Sequence, residues 1–183
     1  MTPVSEDCVV GILTEILAIE CGFGSTSKQI RVAATLHDVG KQYIPAHIRD
    51  KPDRLTPDEY ELMKSHTKFG HDLLCCFEGT LGEYAQTVAL YHHENWANDG
   101  GYWGVPACTL PPYVGMVSLC DVLCGLVYPR VYKPAWSQEQ ALQYIRSKAG
   151  TQFCPKMTAR LIKTVRDTDF FRRWCCDIPT QAV

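Results

Sequence analysis

From Ser5 to Cys21 the apolar residues Val9, Ile12, Leu13, Ile16, Leu17 and Ile19 recur at three- and four-residue steps. That spacing, repeated in segment after segment, restricts the chain to packed helices. Gly22-Phe23-Gly24 closes the first helix, and the Ser25-Thr26-Ser27 hydroxyls offer caps for a second through about Val39. On the second, Ile30, Ala33, Ala34 and His37 share a face. Thr56-Pro57-Asp58-Glu59 is a capping box with proline in the first turn, opening a helix to about Cys76. Its inward side is read as Leu62, Met63, His66, Phe69, Gly70, Leu73 and Leu74. Helical spacing resumes at about Glu83, where Val88 and Ala89 put His92 and His93 on a buried face. It returns at Tyr113, where Asp121 lies four residues beyond Val117. Ser137 to Gln140 is a second capping box before a helix ending at Gly150, and a last helix spans about Lys156 to Trp174. With no internal repeat and no strand alternation, the fold expected is all-α, a helical bundle.

The 183 residues suit a single domain over 1–183, 46% hydrophobic and 21% charged, large enough to bury a core without staples. A net charge of -2 with scattered lysines and arginines argues against a nucleic-acid polymer as partner. No basic region precedes an apolar run, and no apolar stretch reaches the roughly 20 residues of a spanning helix. The expectation is a cytoplasmic protein without membrane contact. Ten cysteines, none spaced CxxC, read as reduced, mostly structural thiols.

His37, Asp38, His66, His92, His93 and Asp121 all fall where the pattern points inward. One histidine on an apolar face is usually a hydrogen-bonded core residue. Several imidazoles and two carboxylates in one core would incur repeated desolvation costs, and divalent metal ions are the simplest agent that satisfies them all. Asp38 can bridge two ions, with His37 and Asp121 on one and His66 and His92 on the other. Such a centre clamps phosphate and acidifies water, so the reaction class is phosphoester hydrolysis. Lys41, three residues past Asp38, would offer a cation to a non-bridging phosphate oxygen. Asp38 and Lys41 are the catalytic candidates.

Leu36-His37-Asp38-Val39-Gly40-Lys41, Ile44-Pro45, Lys51-Pro52, Met63-Lys64-Ser65-His66, His92-His93-Glu94, Asp121-Val122, Tyr132-Lys133-Pro134 and Gly150-Thr151-Gln152-Phe153 stand in an order that resembles the HD superfamily of metal-dependent phosphohydrolases. Within it the chain looks like the HD-GYP group. The resemblance implies an HD-domain helical bundle with a metal centre in its core. His37, Asp38, His66, His92, His93 and Asp121 would hold two divalent ions, iron or manganese, and Lys41 would belong to the active site. It also implies a cyclic dinucleotide as substrate, cyclic di-GMP by default and cyclic GMP-AMP as a close relative. Gly101 and Tyr102 fall in the group's signature loop and are expected to bind substrate with Lys41, while Arg130 and Lys133 could meet the second phosphate. Trp96, Trp103 and Tyr102 either stack on a base or pack the loop.

The chain departs from the group in three places. The loop after His93 is one residue longer and carries Trp103 in place of the signature proline. No histidine precedes His37, and the first-helix position that usually supplies one falls near Glu6, so a carboxylate or water is expected to substitute. Cys154 stands where the group carries an aspartate. These departures admit two other readings: an HD-type enzyme for another nucleotide or phosphoester, and a catalytically silent module that binds nucleotide or protein. The group commonly sits behind a receiver or sensor domain, and the expectation here is either a freestanding enzyme or one whose regulatory or signalling partner is a separate protein.

Overall fold

Ser5 begins the first helix by accepting a hydrogen bond from the Cys8 backbone N–H on its Oγ, and α1 then runs over Glu6–Glu20. The computed structural model describes residues 5–97, 100–128 and 135–174. Gly22, at φ 91°, ends α1 in a conformation that favours glycine. After α2 (Ser27–Thr35) come a 3-10 turn (Val39–Tyr43), the short α3 (Ala46–Arg49), α4 (Pro57–Leu74), α5 (Gly79–Tyr91) and α6 (Pro112–Val127). The chain closes with α7 (Gln138–Ser147), α8 (Pro155–Thr168) and α9 (Phe170–Trp174). No strand occurs among the described residues, only an isolated bridge between Ala149 and Phe153. Both predicted capping boxes form, Thr56 with Glu59 and Ser137 with Gln140.

The core is built on α6. Asp121 is the only charged residue in its length, and Val114, Met116, Val117, Leu119, Cys120, Leu123, Cys124 and Val127 have no exposed surface. α1 packs Val9, Val10, Leu13 and Leu17 into the same cluster, to which α2 adds Ile30, Ala33 and Ala34. Each valine, leucine, isoleucine or methionine among them contributes roughly 1.5–3 kcal/mol by leaving water. The described cysteines are thiols, not disulfides, and burial pushes the Cys120 thiol up to about 12, which leaves it unreactive.

Three expected boundaries shift. α2 stops at Thr35 rather than Val39, so His37 and Asp38 sit in the turn after the helix. The reason is Gly40: a Cβ there would lie 1.9 Å from the His66 carbonyl oxygen and 2.4 Å from the Gly70 nitrogen. The backbone presses on α4, and a tight 3-10 turn accommodates the approach. α5 starts at Gly79, before the expected Glu83. The last helix breaks at Asp169, whose φ of 48° is left-handed. Leu62, expected inside, is 38% exposed. No helix among the described residues is long and apolar enough to cross a membrane.

Candidate metal centre

Four segments converge on Asp38. The turn after α2 carries His37 and Asp38, α4 carries His66, the end of α5 carries His92 and His93, and α6 carries Asp121. His66 Nε2 lies 3.2 Å and His92 Nε2 3.6 Å from Asp38 Oδ1, and the two imidazole nitrogens are 3.5 Å apart. On the other carboxylate oxygen, His37 Nε2 is 3.3 Å from Asp38 Oδ2 and 3.4 Å from Asp121 Oδ1. The Lys41 ammonium pairs with the same Oδ2.

Backbone carbonyls set the rings. His37 Nδ1 faces the Ala34 oxygen at 2.7 Å, His66 Nδ1 faces Met63 at 2.6 Å, and His92 Nδ1 faces Val88 at 3.1 Å. A proton on each Nδ1 makes these hydrogen bonds, which turns each Nε2 toward Asp38, the outer-shell arrangement usual for metal-bound histidine. Between an Nε2 and a carboxylate there must then be a second proton or a cation, because two lone pairs repel. Burial pushes His92 below its ordinary value, and burial with the neighbouring His92 charge holds His93 well below. A second proton is disfavoured on both. His37 Nε2 and Asp38 Oδ1 are buried without a hydrogen-bond partner. The donor set and these orphaned atoms fit divalent metal ions.

The carboxylates are prepared for that role. Burial would raise Asp38, but the charge of His37 and the His66 and His92 imidazoles turned toward it hold it well below the usual range. Asp121 is lowered in the same way, its burial outweighed by His37. For His37, burial opposes a charge, yet Asp38 and Asp121 outweigh it and raise the imidazole well above its ordinary value. A metal ion competes with that proton for the same nitrogen.

The predicted ligands His37, Asp38, His66, His92, His93 and Asp121 are thus brought together. One acidic residue was missed. The expected substitute for the first-helix histidine was near Glu6, but Asp7 is the residue whose carboxylate groups with His37 and Asp38, all within 4.8 Å of one another. The glycine stop places the position to within one residue, and the packing of α1 on α2 selects the face. Burial raises the Asp7 carboxyl, which faces a cavity of about 350 Å³ lined by Glu6, Asp7, Asp38, Lys41 and Asp121.

A second cavity of about 720 Å³ opens beside the imidazoles, lined among others by Lys41, Arg49, Lys51, Arg54, Tyr60 and Tyr102. Lys41 and Tyr102 were expected there, whereas the basic run between α3 and α4 was not. Its only signal is Lys51-Pro52-Asp53-Arg54 in a turn-rich stretch. Gly101 does not line this cavity. A Cβ on it would lie 2.4 Å from Glu94 Oε2, so its role is to let the loop close on that buried carboxylate. Glu94 accepts hydrogen bonds from the Trp103 and Val105 N–H groups at 2.7 and 2.9 Å. Trp103 also donates from Nε1 to Thr67, so its indole ties the loop down, and the Trp96 backbone N–H donates to the Gln152 carbonyl. Tyr102 stacks near His93 at 4.3 Å and meets Tyr60 edge-on at 5.9 Å. Arg130 and Lys133 lie outside the described residues.

The HD domain family profile matches residues 16–157. Among curated proteins, the cyclic di-GMP phosphodiesterase response regulator RpfG of Xanthomonas campestris is 32% identical over 85% of this chain and 40% of its own length. A cyclic di-GMP phosphodiesterase of Thermotoga maritima is 34% identical over 90% of this chain and 45% of its own. The chain therefore spans less than half the length of these relatives. Among solved structures, Bd1817, a HDG"Y"P protein from Bdellovibrio bacteriovorus, shares the fold with a TM-score of 0.69 at 18% identity, over 88% of this chain and 51% of that one.

Proposed function

The chain belongs to the HD domain family, and from that premise we propose that it is a metal-dependent phosphodiesterase hydrolysing a cyclic dinucleotide, cyclic di-GMP first among them. The observation that carries the reading is the Asp38 carboxylate, which meets His37, His66 and His92, with His66 and His93 in turn lining a cavity rimmed with basic groups. Two divalent ions suit this donor set, iron or manganese, and when bound they polarise a phosphoryl oxygen and acidify water. The names of the similar proteins support the substrate class.

The chain's own residues would divide the remaining work. Lys41, held against Asp38, places an ammonium at the edge of the centre for a non-bridging phosphate oxygen. The volume of about 720 Å³ falls in the range of small-molecule sites. Tyr60 and Tyr102, edge-on to each other, give a base apolar ring surface to pack on, and burial raises the Tyr102 hydroxyl so that it stays protonated and can donate. Arg49 is committed to Asp50 and Lys51 to Glu59, at 2.7 and 2.6 Å. Arg54 forms no ion pair among the described residues and is the guanidinium available for a second phosphate.

The test is a purified chain assayed for bound iron and manganese and for turnover of cyclic di-GMP, cyclic GMP-AMP, cyclic di-AMP and linear dinucleotides, beside Asp38→Ala. Cleavage of a cyclic dinucleotide that is lost in Asp38→Ala is the expected result. Metal binding without turnover of any phosphodiester would sink the enzyme reading, and cleavage of linear substrates alone would change the substrate.

A further inference from the structure

α1 reaches the centre because of a glycine. A Cβ on Gly11 would lie 2.3 Å from Thr35 Oγ1 and 3.1 Å from the Arg31 carbonyl oxygen, so α1 lies against the C-terminal end of α2 with no room between them. Asp7 is one helical turn before Gly11, on the same side of α1. The close packing therefore delivers its carboxylate to the turn that holds His37 and Asp38. Its carboxylate, a His37 ring nitrogen and an Asp38 oxygen lie within 4.8 Å of one another, and Asp121 Oδ1 is 3.4 Å from His37 Nε2. Buried His37 Nε2 has no hydrogen-bond partner and is aimed into this group.

We infer that α1 supplies a metal ligand, Asp7, and that the two halves of the centre differ in donor chemistry and so in the ion each prefers. On the α1 side stand three carboxylates, Asp7, Asp38 and Asp121, with the single imidazole of His37. On the α4–α5 side stand His66, His92 and His93 with Asp38. Oxygen donors suit harder ions such as Mn2+, whereas imidazoles suit Fe2+ or Zn2+. The inference rests on the metal-centre reading above and goes beyond it. The expected iron or manganese becomes one of each, with manganese on the carboxylate side and iron on the imidazole side.

The experiment reads metal, not turnover. The full chain is stripped with a chelator, then reloaded anaerobically with Mn2+ and Fe2+, singly and together, and its metal content and Mn2+ electron paramagnetic resonance spectrum are recorded. Asp7→Asn and Asp7→Ala are treated alike after circular dichroism confirms their helix content. The parent chain should take both ions from the mixture, and each variant should bind Mn2+ at least ~10-fold more weakly while its Fe2+ affinity changes far less. Unaltered Mn2+ affinity and spectrum in both folded variants would overturn the assignment of Asp7. Equal loss of both ions would overturn the division into unlike halves. A parent chain that binds neither ion would remove the metal centre and this inference together, whereas a parent that loads both ions without hydrolysing any phosphodiester would remove only the proposed activity.

Discussion

The two cavities that flank Asp38 carry opposite charge. The smaller, about 350 Å³, is walled by Glu6, Asp7, Asp38 and Asp121, with Lys41 as its one cation among the described residues. The larger, about 720 Å³, collects Lys41, Arg49, Lys51 and Arg54 around aromatic walls and, among the described residues, has Asp53 as its one carboxylate. Lys41 lines both, so the ammonium stands at the boundary. One wall attracts cations and the other anions, so under the proposed function the metal ions and the phosphate would be drawn to different sides of Lys41. The sharpest way to break that division is to remove the carboxylate that lines the acidic cavity and meets His66 in the wall of the basic one. Asp38→Ala should abolish metal binding and lower turnover by on the order of 10³-fold or more, exceeding the ~10–100-fold cost of losing an outer partner of a ligand. Metal analysis and a steady-state assay check it, and retention of either property would show that the two cavities do not share a centre.

Lys41 tests the boundary itself. Replacing it with methionine keeps the stem and removes the charge, so kcat should fall by about 10²-fold, the scale of losing one transition-state donor. Metal stoichiometry should hold, because the acidic wall remains. If metal were lost and kcat spared, the lysine would belong to the cation side instead.

The helices around this boundary were legible in the sequence because caps and three-to-four spacing are local properties. Thr56, Ser137 and the stripe of α6 needed no knowledge of their neighbours. The six ligand-type residues were legible for a related reason: each interrupts an apolar face, and only one kind of partner suits them all. What was not legible depends on contacts between elements. His37 and Asp38 were placed on the end of a helix, but Gly40 pressing on α4 ends that helix early and turns both inward. Asp7 was displaced to Glu6 because the choice of face rests on Gly11 against Thr35, which no spacing within α1 reveals. Arg49 ends α3, and Lys51 and Arg54 follow in a surface turn where charge has no period, so only the cavity they border marks them out.

Arg54 sharpens the comparison on its anionic side. It is exposed and borders the larger cavity, and its guanidinium should act on ground-state binding more than on the chemical step. Arg54→Ala should raise KM roughly 10-fold with a small change in kcat, about what a charge-assisted hydrogen bond near water supplies. The parent KM should also rise with salt, since screening acts within roughly 10 Å at 0.1 M, and the variant should show a shallower rise. A parallel salt dependence in parent and variant would remove Arg54 from the substrate path.

The smallest expected effect is a control for the locality of both sides. Cys154 lines neither cavity and occupies the N-cap of α8, where no side chain accepts a hydrogen bond from the first turn. An aspartate at that position would supply the missing acceptor and meet the positive end of the helix dipole. Cys154→Asp should therefore raise stability by about 1 kcal/mol and the thermal midpoint by about 2–4 °C. Burial limits the gain, because Cys154 packs partly against the core and the carboxylate must keep its charge near water. Metal stoichiometry and KM should not move. If the cap changed either one, the carboxylate wall and the basic wall would be coupled through the body of the bundle. The charge segregation across Asp38 would then be a property of the whole fold rather than of the residues that line each side.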